Sequence, residues 1–425
     1  MENKRITIEK LVYGGYGLGH SENKAVFVPY SAPGDELSIE LTSSRQGVQW
    51  ARIQEIIRPS PLRCEPFCPR FGQSGGCQLQ HIPYSEQLKH KGKVIAEAFQ
   101  NVAGFNEDKL LPCIPSPAQT GYRRRVRLHW RQKGGLGFYH SESHDVVPID
   151  HCPLLSPELN QTLSDLSSAL VHNSPTDLSE IQIVQGSDEA VCLTLFMPIT
   201  QFSEAWANKI KDKIDVKGIS LKEGEREKIL YGKGFVDYRV KNWKLRTGNS
   251  SFFQANLELL PDMLDHIMGS IEIQDIDHAL ELYAGVGLFS LPLAKKVRRL
   301  ITIEGNRQAA EHALFNSKAN KINNIAVKQI EVQLGLDLLI SRQAKFDLVL
   351  LDPPREGLTP GIIARLQSFA PWQIIYISCN PATCARDVKN IVSNGQYELG
   401  SIQPLDMFPH TSQVEAVCSL MRKNR

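Results

Sequence analysis

Residues 374–387 read IIYISCNPATCARD and place a thiol where an apolar run stops. Ile374, Ile375, Tyr376 and Ile377 have the make-up of a short buried strand, which Ser378-Cys379-Asn380-Pro381 ends. A cysteine held there is a packed small hydrophobe, half of a redox pair with Cys384, a metal ligand or a nucleophile. Two further strand ends carry polar groups. LELYAGVGLFS (280–290) reads as strand, Gly285-x-Gly287 turn and helix, and the next strand ends in Glu304, at the distance expected of an acid that takes ribose hydroxyls. FDLVLLDPPREG (346–357) ends on Asp352 ahead of a stiff Pro353-Pro354 turn. Polar groups at successive strand ends share one crevice in a doubly wound sheet. Position 290 is serine, not the third glycine of a dinucleotide fingerprint. The crevice therefore favours S-adenosylmethionine, which has no pyrophosphate to cradle, over NAD.

A methyl donor beside a thiol narrows the acceptor. Carbon 5 of a pyrimidine is a poor nucleophile until a thiolate adds at carbon 6. A base must then remove the carbon-5 proton so that the thiolate can leave. Methylation of an exocyclic nitrogen needs no thiol, and its Asp-Pro-Pro-aromatic pattern is absent, because Arg355 follows Pro354. The nearest candidate base is Glu415, in LDMFPHTSQVEAVCSLM (405–421). By its local sequence alone, Glu415 reads more simply as a solvated strand-edge carboxylate.

The elements that must position these groups fall into three stretches. From about residue 246 to 425, apolar strands alternate with helices, which predicts an α/β domain with a doubly wound, Rossmann-like parallel sheet. Residues 1–60 alternate apolar and polar positions in about five short pieces, the pattern of a small OB-like β-barrel. Residues 61–245 form a β-rich central region that begins with a Pro/Gly/Cys-rich segment and a helix capped by Ser85. Hydrophobic content of 42% and charged content of 22% are those of a globular protein, and net charge of +2 averages over the three stretches. The chain holds no apolar run long enough to span a membrane and no signal-peptide core, so the cytoplasm is expected. Nine cysteines in 425 residues are not a disulfide scaffold.

RCEPFCPRFGQSGGCQLQH (63–81) carries Cys64, Cys68 and Cys77, and Cys152 follows at a distance, a set that points to a metal or iron–sulfur site. In GYRRRVRLHWRQKGG (121–135), a strand reading puts Arg123, Arg125, Arg127, His129, Arg131 and Lys133 on one face. That face contains no acid, and contact with a nucleic-acid backbone is its expected use.

DPPREGL, IIYISCNPATCARD and LDMFPHTSQVE, in this order, resemble the signatures of the RNA (uracil-5-)-methyltransferase family. FFQAN (252–256) and ELYAGVGLFSLPLA resemble its cofactor-binding segments, and residues 1–60 resemble a TRAM domain, as in its RumA/RlmD-like 23S rRNA branch. The resemblance implies Cys379 as nucleophile, Glu415 as the base that removes the carbon-5 proton, and Gln254, Tyr283, Glu304 and Asp352 as S-adenosylmethionine contacts. It implies a monomer acting on 23S rRNA. Transfer RNA is the alternative substrate, and an inactive RNA-binding or assembly factor is the alternative role. It further implies that the helix near 80–112 packs on the catalytic domain. The resemblance also implies a [4Fe-4S] cluster; Cys68, Cys77 and Cys152 match three of its ligands, Ser74 occupies the second ligand position, and Cys64 is an extra thiol that could substitute by a loop shift. Gln413 stands where the family usually has His, and Ala284 where it often has Cys. The metal reading thus moves to these other cysteines, the spacing to Cys384 is not Cys-x-x-Cys, and the resemblance makes Cys379 the nucleophile.

Overall fold

The computed structural model describes residues 4–423 apart from 46, 174, 176, 202 and 203. The C-terminal sheet is built from Ile276–Leu282 (β1), Val297–Glu304 (β2), Ile325–Gln329 (β3), Leu348–Leu351 (β4), Gln373–Ser378 (β5), Tyr397–Leu405 (β6) and Glu415–Arg422 (β7). Its strand order is β3-β2-β1-β4-β5-β7-β6. The first five strands in that order run parallel, while β7 runs antiparallel to both β5 and β6. Runs such as LVLL and QIIYIS are buried at every position because helices cover both faces of the sheet. The order reverses between β1 and β4, which opens a crevice at the carboxyl ends of these strands.

Local sequence sets how each strand ends. Asn380 caps the helix Pro381–Val392, accepting from the backbone N–H of Ala382 at 3.1 Å and Thr383 at 3.5 Å, and Pro381 occupies the first helical turn. The break after Ser378 is thus a strand-to-helix switch that leaves Cys379 between two fixed elements.

The N-terminal sheet has six strands where the pattern predicts about five, Lys4–Thr7 to Val48–Arg58. Ile6, Ile8, Val26, Val28, Leu37, Ile39 and Ala51 fill its own small core. The central seven-stranded sheet carries the helix Pro157–Asn173, whose Leu159, Leu163, Leu166 and Leu170 are packed in the core of that sheet.

Helix Tyr84–Phe99 lies early in the chain but places Ile95 and Phe99 in the core beneath the C-terminal sheet. Its Lys91 ammonium, 1% exposed, donates to Asp406, 0% exposed, at 2.5 Å and to the Phe408 carbonyl at 3.0 Å. Gln87 holds the same loop from the next turn, accepting from the His410 N–H at 3.0 Å. Residues 406–412, which lead into Glu415, are therefore set by contacts from a distant part of the chain.

Candidate active site

Strand pairing, more than local sequence, brings the candidate thiol and carboxylate together. The β5–β7 ladder ends at the pair Ser378–Ala416, leaving Cys379 and Glu415 as the next residue on each side of it, near enough that the carboxylate acts on the thiol. Cys379 is half-buried and Glu415 is 4% exposed, so the carboxylate expected at a solvated strand edge is instead enclosed. Asp352 follows β4 directly, beside the ends of β1 and β5. Arg355 completes the group: its guanidinium donates to the Gln413 Oε1 at 3.3 Å, and its carbonyl accepts from Asn380 Nδ2 at 3.1 Å and Thr383 Oγ1 at 3.0 Å. Gln413, which departs from the family pattern, is an acceptor for the Arg355 guanidinium, which stands near enough to act on the thiol.

The electrostatics follow from this crowding. Burial raises the Cys379 thiol above its ordinary value and the Glu415 carboxylate adds to that, while the Arg355 guanidinium opposes both. Burial pushes Glu415 up to about 8, with Asp352 adding and Arg355 opposing. Asp352 is raised to about 7 by burial. A thiol and a carboxylate that must both lose protons make the rate climb with pH, through about 8 for Glu415. Arg355 favours the charged form of each, so Arg355→Gln moves that climb to higher pH and lowers kcat/KM at neutral pH on the order of tenfold, the worth of one hydrogen bond to a charged group. The residue is exposed, so folding is spared. A pH–rate profile superimposable on that of the parent protein would remove Arg355 from the chemistry.

The adjoining end of the crevice is shaped by the β1 turn. Tyr283, Gly285 and Gly287 all have positive φ, 60°, 55° and 89°, and the tyrosine at such an angle marks a strained turn. Glu304 at the tip of β2 accepts from the Gly285 N–H at 2.8 Å and the Asn306 N–H at 2.7 Å, which aims its carboxylate along the crevice. Glu281, 1% exposed, accepts from Ser290 Oγ at 2.5 Å and leaves its other oxygen unpartnered. Burial pushes this carboxyl up to about 8. Its place inside β1 gives no signal in the sequence, and it was not among the expected site residues.

Gln254 lies on a strap that crosses the crevice. Ser251 donates to Gln308, on the helix after β2, at 2.7 Å, and Asn256 donates to the Met407 carbonyl at 3.3 Å, ahead of Glu415. Between them Gln254 is 6% exposed with its Oε1 unpartnered. The unpartnered Gln254 Oε1 and Glu281 Oε1, with the carboxylates of Glu304 and Asp352 at the neighbouring strand ends, fit a ligand that brings ammonium and hydroxyl donors, as S-adenosylmethionine does.

The basic strand keeps its expected alternation but not its isolation. In Arg125–Arg131, Val126, Leu128 and Trp130 are buried. On the other face, Glu180 from the neighbouring strand lies 3.5 Å from Arg127 and 3.2 Å from His129. The absence of acid read from residues 121–135 is therefore corrected by the strand beside them. Arg125 is turned inward, donating to the carbonyls of Ser251 at 2.6 Å and Phe253 at 3.1 Å, so it holds the Gln254 strap.

The cysteines divide likewise. Cys68, Cys77 and Cys152 line one small cavity together with Ser74 and Arg123. Burial pushes the Cys77 thiol up to about 11, with Arg123 opposing. Cys64 does not substitute for Ser74: it lines a separate cavity with Arg63 and His81, and its thiol donates to the Gln80 carbonyl at 3.3 Å. Among the described residues, no three His, Cys, Asp or Glu side chains converge to hold a metal ion. Three thiols and a hydroxyl do not fit a [4Fe-4S] cluster, whose usual set is four thiolates. Cys384 is fully buried, its sulfur 3.7 Å from that of Cys418.

A doubly wound sheet with carboxylates at the carboxyl ends of its strands is the frame of an S-adenosylmethionine-dependent methyltransferase. The comparisons give the class a family. Residues 83–423 match the tRNA (uracil-5-)-methyltransferase family, and residues 4–62 match the TRAM domain of tRNA (uracil(54)-C(5))-methyltransferase. The chain belongs to this family of RNA uracil-5 methyltransferases. The 23S rRNA (uracil(1939)-C(5))-methyltransferase RlmD of Vibrio cholerae is 32% identical over 99% of this chain and 96% of the relative. RlmD of Pseudomonas savastanoi is 31% identical over 98% and 93%. The crystal structure of Pyrococcus abyssi tRNA (uracil-54, C5)-methyltransferase in complex with S-adenosyl-L-homocysteine matches with a TM-score of 0.76 and 27% identity, covering 98% of this chain and 100% of that one. Among the described residues, no helix is long and apolar enough to cross a membrane.

Proposed function

We propose that the protein forms 5-methyluridine in 23S rRNA as a monomeric cytoplasmic enzyme. The observation that supports this chemistry is the end of the β5–β7 ladder at Ser378–Ala416, which brings Cys379 and Glu415 to the same end of the sheet. In this reading the Cys379 thiolate forms a bond to carbon 6 of an extruded uracil, and the electrons of the ring double bond move toward the carbon-4 oxygen. Bound S-adenosylmethionine supplies an electrophilic methyl group for carbon 5. Glu415 then takes the carbon-5 proton, the ring double bond re-forms, and the thiolate leaves. Arg355 stabilises the thiolate before addition and after release. Gln254, Tyr283, Glu304 and Asp352 hold the methyl donor.

The choice of 23S rRNA rests on the two RlmD relatives, which match nearly the whole chain. Transfer RNA is the second reading, favoured by the Pyrococcus abyssi enzyme with its TM-score of 0.76. Mass mapping of 5-methyluridine in the RNA of a deletion strain separates them. One 23S rRNA site is expected to be lost; loss from tRNA alone selects the second reading, and loss of no site overturns both.

A further inference from the structure

The N-terminal barrel reaches the catalytic mouth. Its Val12–Gly15 turn, closed by a Gly15 N–H to Val12 carbonyl bond of 3.0 Å, carries Tyr13 at its tip, 43% exposed. Gly15 has φ +79°, and a β-carbon there would stand 3.0 Å from the Gln78 Cβ and 3.4 Å from the Ser412 Cβ. The turn is thus seated on the segment that leads into Gln413 and Glu415. Gln78 locks the junction, accepting from the Ser412 N–H at 3.2 Å. The Tyr13 hydroxyl stands close enough to Arg355 and Cys379 that both act on its acidity, though burial is the larger influence.

From this turn a cavity of about 1150 Å³ runs outward along the barrel, lined by Gly15, Tyr16, Phe27, Tyr30, Trp50 and Gln78 among others. Tyr16 and Phe27 present their rings to Trp50 edge-on, at centroid distances of 4.8 and 5.2 Å. None of the described lining residues is Lys or Arg, and Glu142 contributes a carboxylate. Such a lining offers phosphates no cation, while its rings suit the flat faces of bases. Aromatic rings on an OB-like barrel stack unpaired bases with little regard to sequence.

We propose that this groove binds the unpaired nucleotides adjoining the target uridine, stacking their bases on Tyr16 and Trp50, while Tyr13 packs against the nucleotide nearest the catalytic mouth. The inference rests on the RNA methyltransferase reading and adds to it a base-stacking subsite joined to the catalytic mouth through the Val12–Gly15 turn. The groove explains how a barrel with its own separate core contributes to selection of one uridine: a paired strand cannot present its bases to the rings, so only a target within an unpaired stretch engages both the groove and Cys379.

The test compares the affinity of the full chain for two synthetic RNAs, a stem–loop with an unpaired uridine-rich loop and a fully paired duplex of equal length. Tyr13→Ala and Trp50→Ala are each expected to raise the Kd for the stem–loop about tenfold, within the range of one base–aromatic stack. The slope of log Kd against log salt stays unchanged, because no phosphate contact is lost, and duplex affinity does not move. Trp50→Phe, which keeps a ring, recovers most of the affinity and shows that the barrel is folded. Unchanged stem–loop affinity in Tyr13→Ala and Trp50→Ala overturns the inference, as does an equal loss on both RNAs. Methyl transfer by the parent protein to a uridine-bearing transcript is measured alongside: its absence counts against the methyltransferase reading, whereas its presence with unaltered variants counts against the groove alone.

Discussion

Glu415→Gln is expected to halt the enzyme with RNA covalently attached to Cys379. Before methyl transfer the glutamate has no bond to make or break, so thiolate addition at carbon 6 and alkylation at carbon 5 still proceed. Release differs. The thiolate can leave only when the carbon-5 proton is removed, and a carboxamide does not accept that proton. Turnover therefore falls by about 10²–10⁴, the usual worth of a positioned base. A protein–RNA band that survives denaturation accumulates, and it contains the methylated base. Glutamine keeps the shape of the side chain, so the buried site is not emptied. Cys379→Ala must abolish both the band and methylation. A Cys379→Ala protein that still methylates, or a Glu415→Gln protein that turns over normally, would sink the assignment of this pair.

The second large effect lies outside the reacting groups. Lys91 and Asp406 form a buried ion pair, 1% and 0% exposed, between the helix Tyr84–Phe99 and the loop before β7. Removing one charge leaves the other buried without a partner, which costs about 3–5 kcal/mol. Lys91→Met is accordingly expected to lower the melting temperature sharply. It also loosens residues 406–412, so kcat falls even below the melting transition. The pair itself contributes much less than its rupture costs, since hydrophobic replacement of both partners is often neutral. Lys91→Met with Asp406→Leu should regain most of the lost stability, as read by calorimetry. If Lys91→Met alone melted like the parent protein, the ion pair would not be what docks this helix.

The chemistry was legible where it depends on residues near one another in the chain. Apolar runs that stop at Cys379, Asp352 and Glu304 announce parallel strands ending in one crevice, because strand burial and helix capping are local properties. Asn380 and Pro381 are readable as a helix start, and their geometry agrees. Glu415 was legible only as a candidate. Its burial follows from β7 entering antiparallel between β5 and β6, a pairing that no periodicity in residues 405–421 encodes. Arg355 could be seen as a departure after Asp-Pro-Pro, while its position near the thiol depends on Gln413, far along the chain.

The same holds for other residues. Arg127 and His129 have no acid in their own stretch of sequence, and the neighbouring strand brings Glu180 beside them. Cys64 is close to Ser74 in sequence, yet the fold points it into a different cavity. The sequence by itself determined which side chains have the right chemistry and which strand ends expose them. Tertiary structure alone decided which carboxylate faces the thiol, which cation tunes both, and that a turn from the N-terminal barrel reaches the same mouth. Strand ends and caps arise from neighbouring residues, whereas register, ion pairing and domain docking join residues tens to hundreds of positions apart and are settled only when the whole chain packs.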